Sequence, residues 1–265
     1  MADSQGPGVQ VPGMKVAFLS SGAPEAEIAR AALIASYGDA PFDEADVVVA
    51  LGGDGLMLQT LHKTMARPRP IFGMNRGSLG FLMNDYREDG LIERIGAARR
   101  SILHPLTMRA RDVAGKETTA QAINEVSLLR QTSQTAKLEI DVDGARRLAE
   151  LIADGLLLST PAGSTAYNLS ANGPIVPLGS ALMALTPISA FRPRRWRGAL
   201  LRDDARVTIR VLEASKRPVA ATADHFEIRR VEAVDIVTDK AISLVLLHDA
   251  GHSLDERILR EQFGA

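Results

Sequence analysis

Apolar residues recur along this chain at two different spacings, and the change falls near residue 104. In the first part, short apolar runs alternate with longer segments whose apolar residues recur every three or four positions. This is the pattern of strands alternating with helices, and it predicts βαβ units around a parallel sheet. The predicted strands are residues 15–19, 47–51 and 71–74, and the predicted helices are residues 24–37, 56–66 and 91–100.

Beyond residue 104, apolar and polar residues alternate with a period of two, as in residues 106–110. This period predicts antiparallel strands with one buried face. A final apolar run at residues 242–247 predicts the last strand. Ser253 and Glu256 then have the spacing of a capping box, which predicts a helix through Phe263.

These patterns divide the chain into parts. We expect a flexible tail over residues 1–13, an α/β domain over residues 14–103 and a β-rich domain over residues 104–248. The junction at residues 102–105 is short for a linker, which favours two packed domains.

Composition narrows the class of protein. The chain has 265 residues, 46% of them hydrophobic, and 31 basic residues against 32 acidic ones give a net charge of -1. This balance provides no global attraction to nucleic acid or to an anionic membrane. The absence of cysteine excludes disulfides and thiolate metal sites, and no apolar run is long enough to span a membrane. We therefore expect a cytoplasmic protein whose partners are small molecules or its own copies.

The first candidate site follows the second predicted strand, where the chain reads Gly52-Gly53-Asp54-Gly55 before helical spacing resumes. A helix start offers unpaired N–H groups, and glycines let an anion such as phosphate approach the backbone closely. Asp54 would repel a phosphate unless it serves as a base or acts through a metal ion. The turn thus suggests phosphoryl transfer. An equally supported interpretation is that Asp54 is only the N-cap of the helix.

A second junction of the same kind occurs in the β-rich part. An apolar strand leads into Pro161, Gly163 and several hydroxyl residues, and a helix is predicted over residues 165–171. For Ser164 alone, a helix-capping role is favoured. The basic segment around Trp196 indicates a solvated loop, with a subunit interface as the second interpretation. The five histidines have no metal-ligand spacing except His248 and His252, for which surface or capping roles are favoured, so we predict no structural metal.

Taken together, the motifs resemble the NAD kinase family in order and approximate spacing, over nearly the whole chain. The Gly-Gly-Asp-Gly turn is also found in diacylglycerol-type lipid kinases and phosphofructokinases, whereas the Gly-Ser-Thr-Ala-Tyr segment is more specific. The chain departs from the family at Ala162, where a Thr is common, at Asn172, where a Gly is common, and at His225, which replaces the Gly after Asp224. The segments that carry the resemblance are Gly52-Gly53-Asp54-Gly55, Asn75-Arg76-Gly77-Ser78-Leu79-Gly80-Phe81, Asn124-Glu125, Asp154-Gly155, Gly163-Ser164-Thr165-Ala166-Tyr167 and Gly173-Pro174-Ile175-Val176.

The resemblance implies a Rossmann-like α/β domain followed by a β-rich antiparallel domain, with the active site between them. It also implies that residues 249–265 return to the first domain and that the protein is a homodimer or homotetramer. The implied reaction moves the γ-phosphoryl of ATP to the adenosine-ribose 2'-hydroxyl of NAD, giving NADP, with Mg²⁺ or another divalent cation accompanying ATP.

Roles for individual residues follow from the same resemblance. Asp54 is the expected catalytic residue, and Asn124 with the Thr165-Ala166-Tyr167 turn is expected to hold the adenosine half of NAD, because an Asn amide matches the N6 and N7 edge of adenine. Asp154 and Ser170 are expected near the nicotinamide riboside. The remaining expected binding residues are Gly52, Gly53, Gly55, Phe81, Glu125, Ala162, Asp224 and His225.

Two alternatives remain open at this point. A lipid kinase of the diacylglycerol kinase type would share the glycine turn but would need an apolar entry path for acyl chains. A non-catalytic NAD(P)-binding sensor would keep the glycine loops and have no use for Asp54. A dehydrogenase is disfavoured because Ser20-Ser21-Gly22, and not a Gly-x-Gly-x-x-Gly motif, follows the first strand.

Overall fold

The computed structural model describes residues 13–77, 80–194 and 196–249. These divide into two compact units, one containing the chain up to Ile102 and again from Leu244, and the other containing Leu103–Ser243. The helices are α1 Pro24–Tyr37, α2 Asp54–Thr64, α3 Leu91–Ala97 and α4 Tyr167–Ser170. The strands are β1 Val16–Ser20, β2 Val47–Gly52, β3 Ile71–Asn75, β4 Arg99–Leu103, β5 Leu106–Asp112, β6 Glu117–Ala122, β7 Glu125–Arg130, β8 Ala136–Val142, β9 Ala145–Ala153, β10 Gly155–Ser159, β11 Leu182–Ile188, β12 Ala199–Arg202, β13 Val207–Val211, β14 Val219–Ala223, β15 Phe226–Ile228, β16 Val231–Thr238 and β17 Leu244–His248.

The first unit contains a five-stranded sheet in the order β1-β2-β3-β17-β4. Strand β2 pairs in parallel with β1 on one side and with β3 on the other. All six residues of β2 are buried, as expected for a central strand whose two faces are both covered. Helix α1 has a proline in its first turn and ends at Gly38, whose φ of 76° suits a glycine after a helix.

The second unit contains two six-stranded sheets, in the orders β12-β11-β10-β7-β14-β15 and β6-β5-β16-β13-β8-β9. The pairings described for both sheets are antiparallel. One apolar cluster takes side chains from both sheets, including Leu128 and Leu158 from one and Ile140 and Val234 from the other. The expected combination of an α/β part and a β-rich antiparallel part is therefore confirmed.

Two local expectations differ from the structure. The helix predicted over residues 91–100 ends at Ala97, and Arg99–Leu103 forms strand β4 at the edge of the sheet. Strand β17 lies beside β3 in the sheet of the first unit, so the chain returns to that unit at Leu244 and not at residue 249. An apolar run does not reveal which sheet it joins, which is why the sequence assigned this strand to the second domain. The tail up to residue 12 and the predicted helix from Ser253 lie outside the described residues.

Within the described part of the chain, no helix is long and apolar enough to cross a membrane.

Candidate active site

The first candidate site is the turn between β2 and α2. Gly53 is the N-cap residue of α2 and Asp54 is its first residue, so Asp54 is not the N-cap that one interpretation of the sequence expected. Its carboxylate oxygens instead accept hydrogen bonds from the backbone N–H groups of Phe81 and Leu82, at 2.8 and 2.9 Å. These two amides fix the orientation of the carboxylate at the positive end of the helix.

Different constraints favour glycine at the different positions of this turn. A Cβ on Gly52 would lie 3.0 to 3.1 Å from atoms of Leu56 and Ser21, so packing disfavours a side chain there. A Cβ on Gly53 or Gly55 would meet no atom of the described residues within 4 Å. The backbone at the helix start is therefore open on the side where these side chains would lie, as an anion site requires.

Sequence reasoning missed one cationic residue beside this turn. Arg76 follows β3, and its backbone N–H donates to the carbonyl of Gly52 at 2.8 Å. Its guanidinium lies 3.3 Å from the centroid of the Tyr86 ring, a cation–π contact. The signal was present in Asn75-Arg76-Gly77, because an arginine beside a predicted phosphate loop complements the charge of the ligand.

The second candidate site is in the β-rich unit and is arranged around Asp224, in the turn between β14 and β15. The Asp224 carboxylate accepts hydrogen bonds from the backbone N–H groups of Ile123, Asn124 and Glu125, at 2.7, 3.0 and 3.2 Å. Asp224 itself has the left-handed backbone conformation in this turn, with φ of 51°. Asp224 thus holds the backbone of Asn124 and Glu125, and His225 beside it is exposed.

Asn124 and Glu125 each present a buried acceptor. Asn124 Oδ1 and Glu125 Oε2 are shielded from solvent and find no hydrogen-bond partner among the residues that the structure describes. Burial and the neighbouring charge of Asp224 raise the pKa of Glu125 to about 7. Buried acceptors without donors are costly in a folded protein, so a ligand that supplies N–H or O–H groups suits this place.

Tyr167 belongs to the same environment. Burial, together with the negative charges of Glu125 and Asp154, raises the pKa of its hydroxyl. Asp154 precedes β10 and forms an ion pair with Arg130, with Oδ1 and Nε 2.5 Å apart. Of the other predicted residues of this segment, Ala162 is buried, Thr165 and Ala166 are partly buried, and Ser170 is exposed.

Buried side chains hold the loop from Pro161 to Gly173. Asn168 is fully buried, donates to the carbonyls of Ser164 and Pro174 at 3.1 and 2.9 Å, and accepts from the Thr186 hydroxyl at 2.7 Å. The Ser164 hydroxyl donates to the Pro161 carbonyl and accepts from the Val176 N–H.

The predicted role of Ser164 as a helix cap is therefore wrong, since its hydroxyl ties two parts of the loop together. The helix predicted over residues 165–171 is also wrong in its bounds, because a 3-10 turn at Ala162–Thr165 precedes the short helix α4. The exposed Ser170 and the partly buried Tyr167 lie on this short helix.

A glycine turn that holds an oriented carboxylate at a helix start suits phosphoryl transfer. The buried acceptors of the β-rich unit, which find no partner among the described residues, suit a nucleoside. Together these features indicate a nucleotide-using phosphotransferase. Comparison with known proteins identifies the family. Residues 38–91 match the ATP-NAD kinase N-terminal domain, and residues 123–238 match the ATP-NAD kinase C-terminal domain. The chain is 61% identical over 251 residues to an NAD kinase of Caulobacter vibrioides, covering 95% of this chain and 96% of that one. It is 57% identical to an NAD kinase of Rhizobium meliloti, covering 94% and 96% of the two chains.

Solved structures agree on the fold. Yeast NADH kinase complexed with NADH has a TM-score of 0.81 at 21% identity, covering 95% of this chain and 87% of that chain. An NAD kinase from Archaeoglobus fulgidus in complex with ATP has a TM-score of 0.73 at 22% identity, covering 95% and 98%. The chain belongs to the NAD kinase family. It is a phosphotransferase that uses ATP to phosphorylate NAD, and the comparisons give no support to the lipid-kinase and sensor alternatives.

Proposed function

We propose that Asp54 is the general base of this reaction and that the β-rich unit binds the adenosine half of NAD. The 2'-hydroxyl of the adenosine ribose gives its proton to the Asp54 carboxylate while its oxygen forms a bond to the γ-phosphorus of ATP. The bond from that phosphorus to the bridging β–γ oxygen breaks, and ADP leaves. A positioned base contributes about 10²- to 10⁴-fold to such a step.

The observation that carries this assignment is the fixed carboxylate at an open helix start. Two backbone amides orient Asp54, and the open backbone beside Gly53 and Gly55 leaves room for phosphate oxygens. A carboxylate within a phosphate-binding turn opposes the binding of ATP by repulsion, so its presence there is best explained by a role in the chemical step.

Binding of the adenosine half rests on the unpaired acceptors. The adenine N6 amino group can donate to Asn124 Oδ1, and a ribose hydroxyl can donate to Glu125 Oε2, so the ligand supplies what the described residues do not. The Tyr167 ring offers an apolar face to the nucleoside. Thr165, Ala166 and Ala162 are proposed to line the same site, with Phe81 beside Asp54.

A divalent cation is proposed to accompany ATP. Magnesium prefers oxygen ligands and is commonly held by substrate phosphates with one or two carboxylates, and Asp54 is the carboxylate of this turn. In the described part of the chain, no group of three or more His, Cys, Asp or Glu side chains is placed to hold a metal ion. This donor set fits a cation bound mainly through the nucleotide, where it would neutralise negative charge on the phosphates.

The assignment of Asp54 is tested by Asp54→Asn, with Asp46→Asn as the matched control. Asp46 precedes the opposite end of β2, and its carboxylate also accepts a backbone amide, that of Lys15 at 2.9 Å. We expect kcat for NADP formation to fall about 10²- to 10⁴-fold in Asp54→Asn while NAD binding, measured calorimetrically, is retained. The control should keep its kcat. A wild-type kcat in Asp54→Asn would contradict the assignment of Asp54 as the general base.

We also propose a cytoplasmic homodimer or homotetramer in which Asp154 and Ser170 lie near the nicotinamide riboside. The absence of cysteine suits a reducing compartment, and Ser170 is exposed, as contact with a ligand or a second copy requires. If the site is shared between copies, specific activity should fall on dilution together with dissociation of the assembly, measured by light scattering. A dilute monomer with full activity would contradict the shared site.

A further inference from the structure

Asn84, which the proposed reaction does not use, joins three segments of the α/β unit. It is 1% exposed. Its side-chain NH₂ group donates to the carbonyls of Gly73 in β3 and Leu247 in β17, both at 3.0 Å, and its Oδ1 accepts from the N–H of Asp249 at 2.9 Å. Its backbone N–H also donates to Gly73, and its carbonyl accepts from Asn75, both at 2.8 Å. All these contacts anchor the segment that follows Phe81 and Leu82.

A buried ion pair supports the same segment. Asp249 is 5% exposed, and its carboxylate accepts from Arg94 Nε and Nη2 at 3.0 and 2.6 Å. Arg94 also donates to the carbonyls of Asp85 and Arg87, at 2.8 and 3.2 Å. Buried ion pairs are poor sources of stability because both ions lose water, and their better-supported use is to specify one arrangement of the chain. Here the arrangement specified is that of residues 84–87.

The anchored segment leads directly to the catalytic turn. Phe81 and Leu82, whose amides orient the Asp54 carboxylate, lie three and two residues before Asn84, respectively. A Cβ on Gly73 would lie 2.3 Å from Met57 of α2 and 2.7 Å from Met83, so both side chains rest on that glycine. Gly73 of β3 therefore contacts both the helix that carries Asp54 and the loop that orients its carboxylate. Asn84 is hydrogen-bonded to this same glycine.

We infer that Asn84 is a positioning residue that sets the direction of the Asp54 carboxylate through the amides of Phe81 and Leu82. This inference rests on the proposed role of Asp54 as base. Displacing catalytic groups by about 1 Å can cost on the order of 10²-fold in rate. Loss of the Asn84 side chain should therefore lower turnover more than substrate binding.

The first experiment measures kcat and KM for NAD and for ATP in Asn84→Ala, at a temperature where circular dichroism shows the variant to be folded. We expect kcat to fall about 10- to 100-fold while both KM values stay within about threefold of wild type. Asn84→Ser keeps one donor and is the second variant if the alanine variant does not fold. Its kcat should fall in the same direction by a smaller factor.

The matched control is Asp39→Ala. Asp39 also fixes a loop to a strand of this unit, by accepting from the N–H of Phe18 in β1 at 3.1 Å and from Arg30 at 2.9 Å. None of these contacts involves the segment after β3, so the folded control should turn over at the wild-type rate even where its melting temperature drops. Equal kcat losses in Asn84→Ala and Asp39→Ala would show that Asn84 acts only through stability and would overturn the inference.

A double-mutant cycle separates this inference from the proposed function. If Asn84 acts through Asp54, adding Asn84→Ala to Asp54→Asn should lower kcat by less than about twofold further, whereas independent effects would multiply. If Asp54→Asn alone leaves kcat unchanged, the role of Asp54 fails first. If Asp54→Asn lowers kcat and the two losses multiply, only the positioning role of Asn84 fails.

Discussion

The two junctions where a strand leads into a helical turn are built in opposite ways. At Gly52–Gly55 the backbone passes from β2 into an eleven-residue helix, and a single carboxylate binds the next loop. At residues 161–173 the helical turns are short, and buried side chains of Ser164, Asn168 and Thr186 hold the loop. The first arrangement leaves backbone open to a ligand, and the second presents partly buried side chains.

The two aspartates of these sites show the same contrast. Asp54 and Asp224 both accept backbone amides, two and three respectively. Asp54 begins a helix beside open glycines, where its carboxylate can meet a reacting group. Asp224 lies in a left-handed turn and fixes the residues that we propose to bind the nucleoside. The same interaction thus serves chemistry in one unit and binding in the other.

The largest effect should come from exchanging each aspartate for asparagine. Asn keeps the shape but replaces one acceptor oxygen with a donor, which opposes a backbone N–H. We expect Asp54→Asn to lower kcat by about 10²- to 10⁴-fold and Asp224→Asn to raise KM for NAD with a much smaller change in kcat. Steady-state kinetics of both variants checks this. The distinction between the two aspartates fails if the two kinetic patterns are exchanged or identical.

A smaller effect, but a sharper contrast, is expected at the glycines. A Cβ on Gly163 would lie 2.2 Å from the Asn124 carbonyl oxygen, whereas a Cβ on Gly53 would meet nothing within 4 Å in the part of the chain that the structure describes. Gly163→Ala should therefore lower the free energy of unfolding by about 1–3 kcal/mol or more, and Gly53→Ala should change it by less than about 1 kcal/mol. Gly53→Ala should instead raise KM for ATP, because the methyl group stands where phosphate approaches.

Urea unfolding and kinetics on the two glycine variants settle this comparison. If Gly53→Ala unfolds as readily as Gly163→Ala, the first turn is no more open than the second. If it is stable and binds ATP normally, phosphate does not approach the backbone at Gly53. Phe191, which is exposed and distant in sequence from both turns, provides a reference substitution, Phe191→Ala, expected to leave KM for ATP unchanged.

The sequence predicts those features of the two junctions that depend on neighbouring residues. The buried run before Gly52 and the helical spacing after Asp54 report local burial. Both elements form within two residues of their predicted bounds, with β2 at Val47–Gly52 and α2 at Asp54–Thr64. The period of two beyond residue 104 likewise predicted the antiparallel sheets. These features depend on neighbours in sequence.

The features that sequence did not reveal depend on distant partners. The bonds from Asp224 span about 100 residues, those from Asn84 to β17 span 163, and the strand at Leu244–His248 joins a sheet formed mostly by the first 75 residues. Periodicity does not identify such partners. The family resemblance pointed to Asn124, Glu125 and Tyr167, but their unpaired acceptors and shared charge environment became visible only in the structure.

The smallest effect, and the one that tests the binding site most directly, concerns Glu125. Burial, and then the charge of Asp224, raise its pKa from the ordinary 4.5 to about 7. The folded protein therefore holds this proton over a range where the unfolded chain has lost it, so wild-type stability should decline as pH rises from about 4.5 to 7 and then level off. Glu125→Gln carries no charge at any pH and should remove this decline, exceeding the wild type in unfolding free energy at pH 8 by at most about 3 kcal/mol. Urea unfolding from pH 5 to 8 measures the difference. The control is Glu227→Gln, which changes an exposed glutamate on β15 and whose curve should parallel the wild type.

Because an ionised Glu125 accepts the ribose hydroxyl in our proposal, KM for NAD should rise in the wild type as pH falls below 7 and stay level in Glu125→Gln. A wild-type KM that does not respond to pH, despite the expected change in stability, would place the ribose away from Glu125.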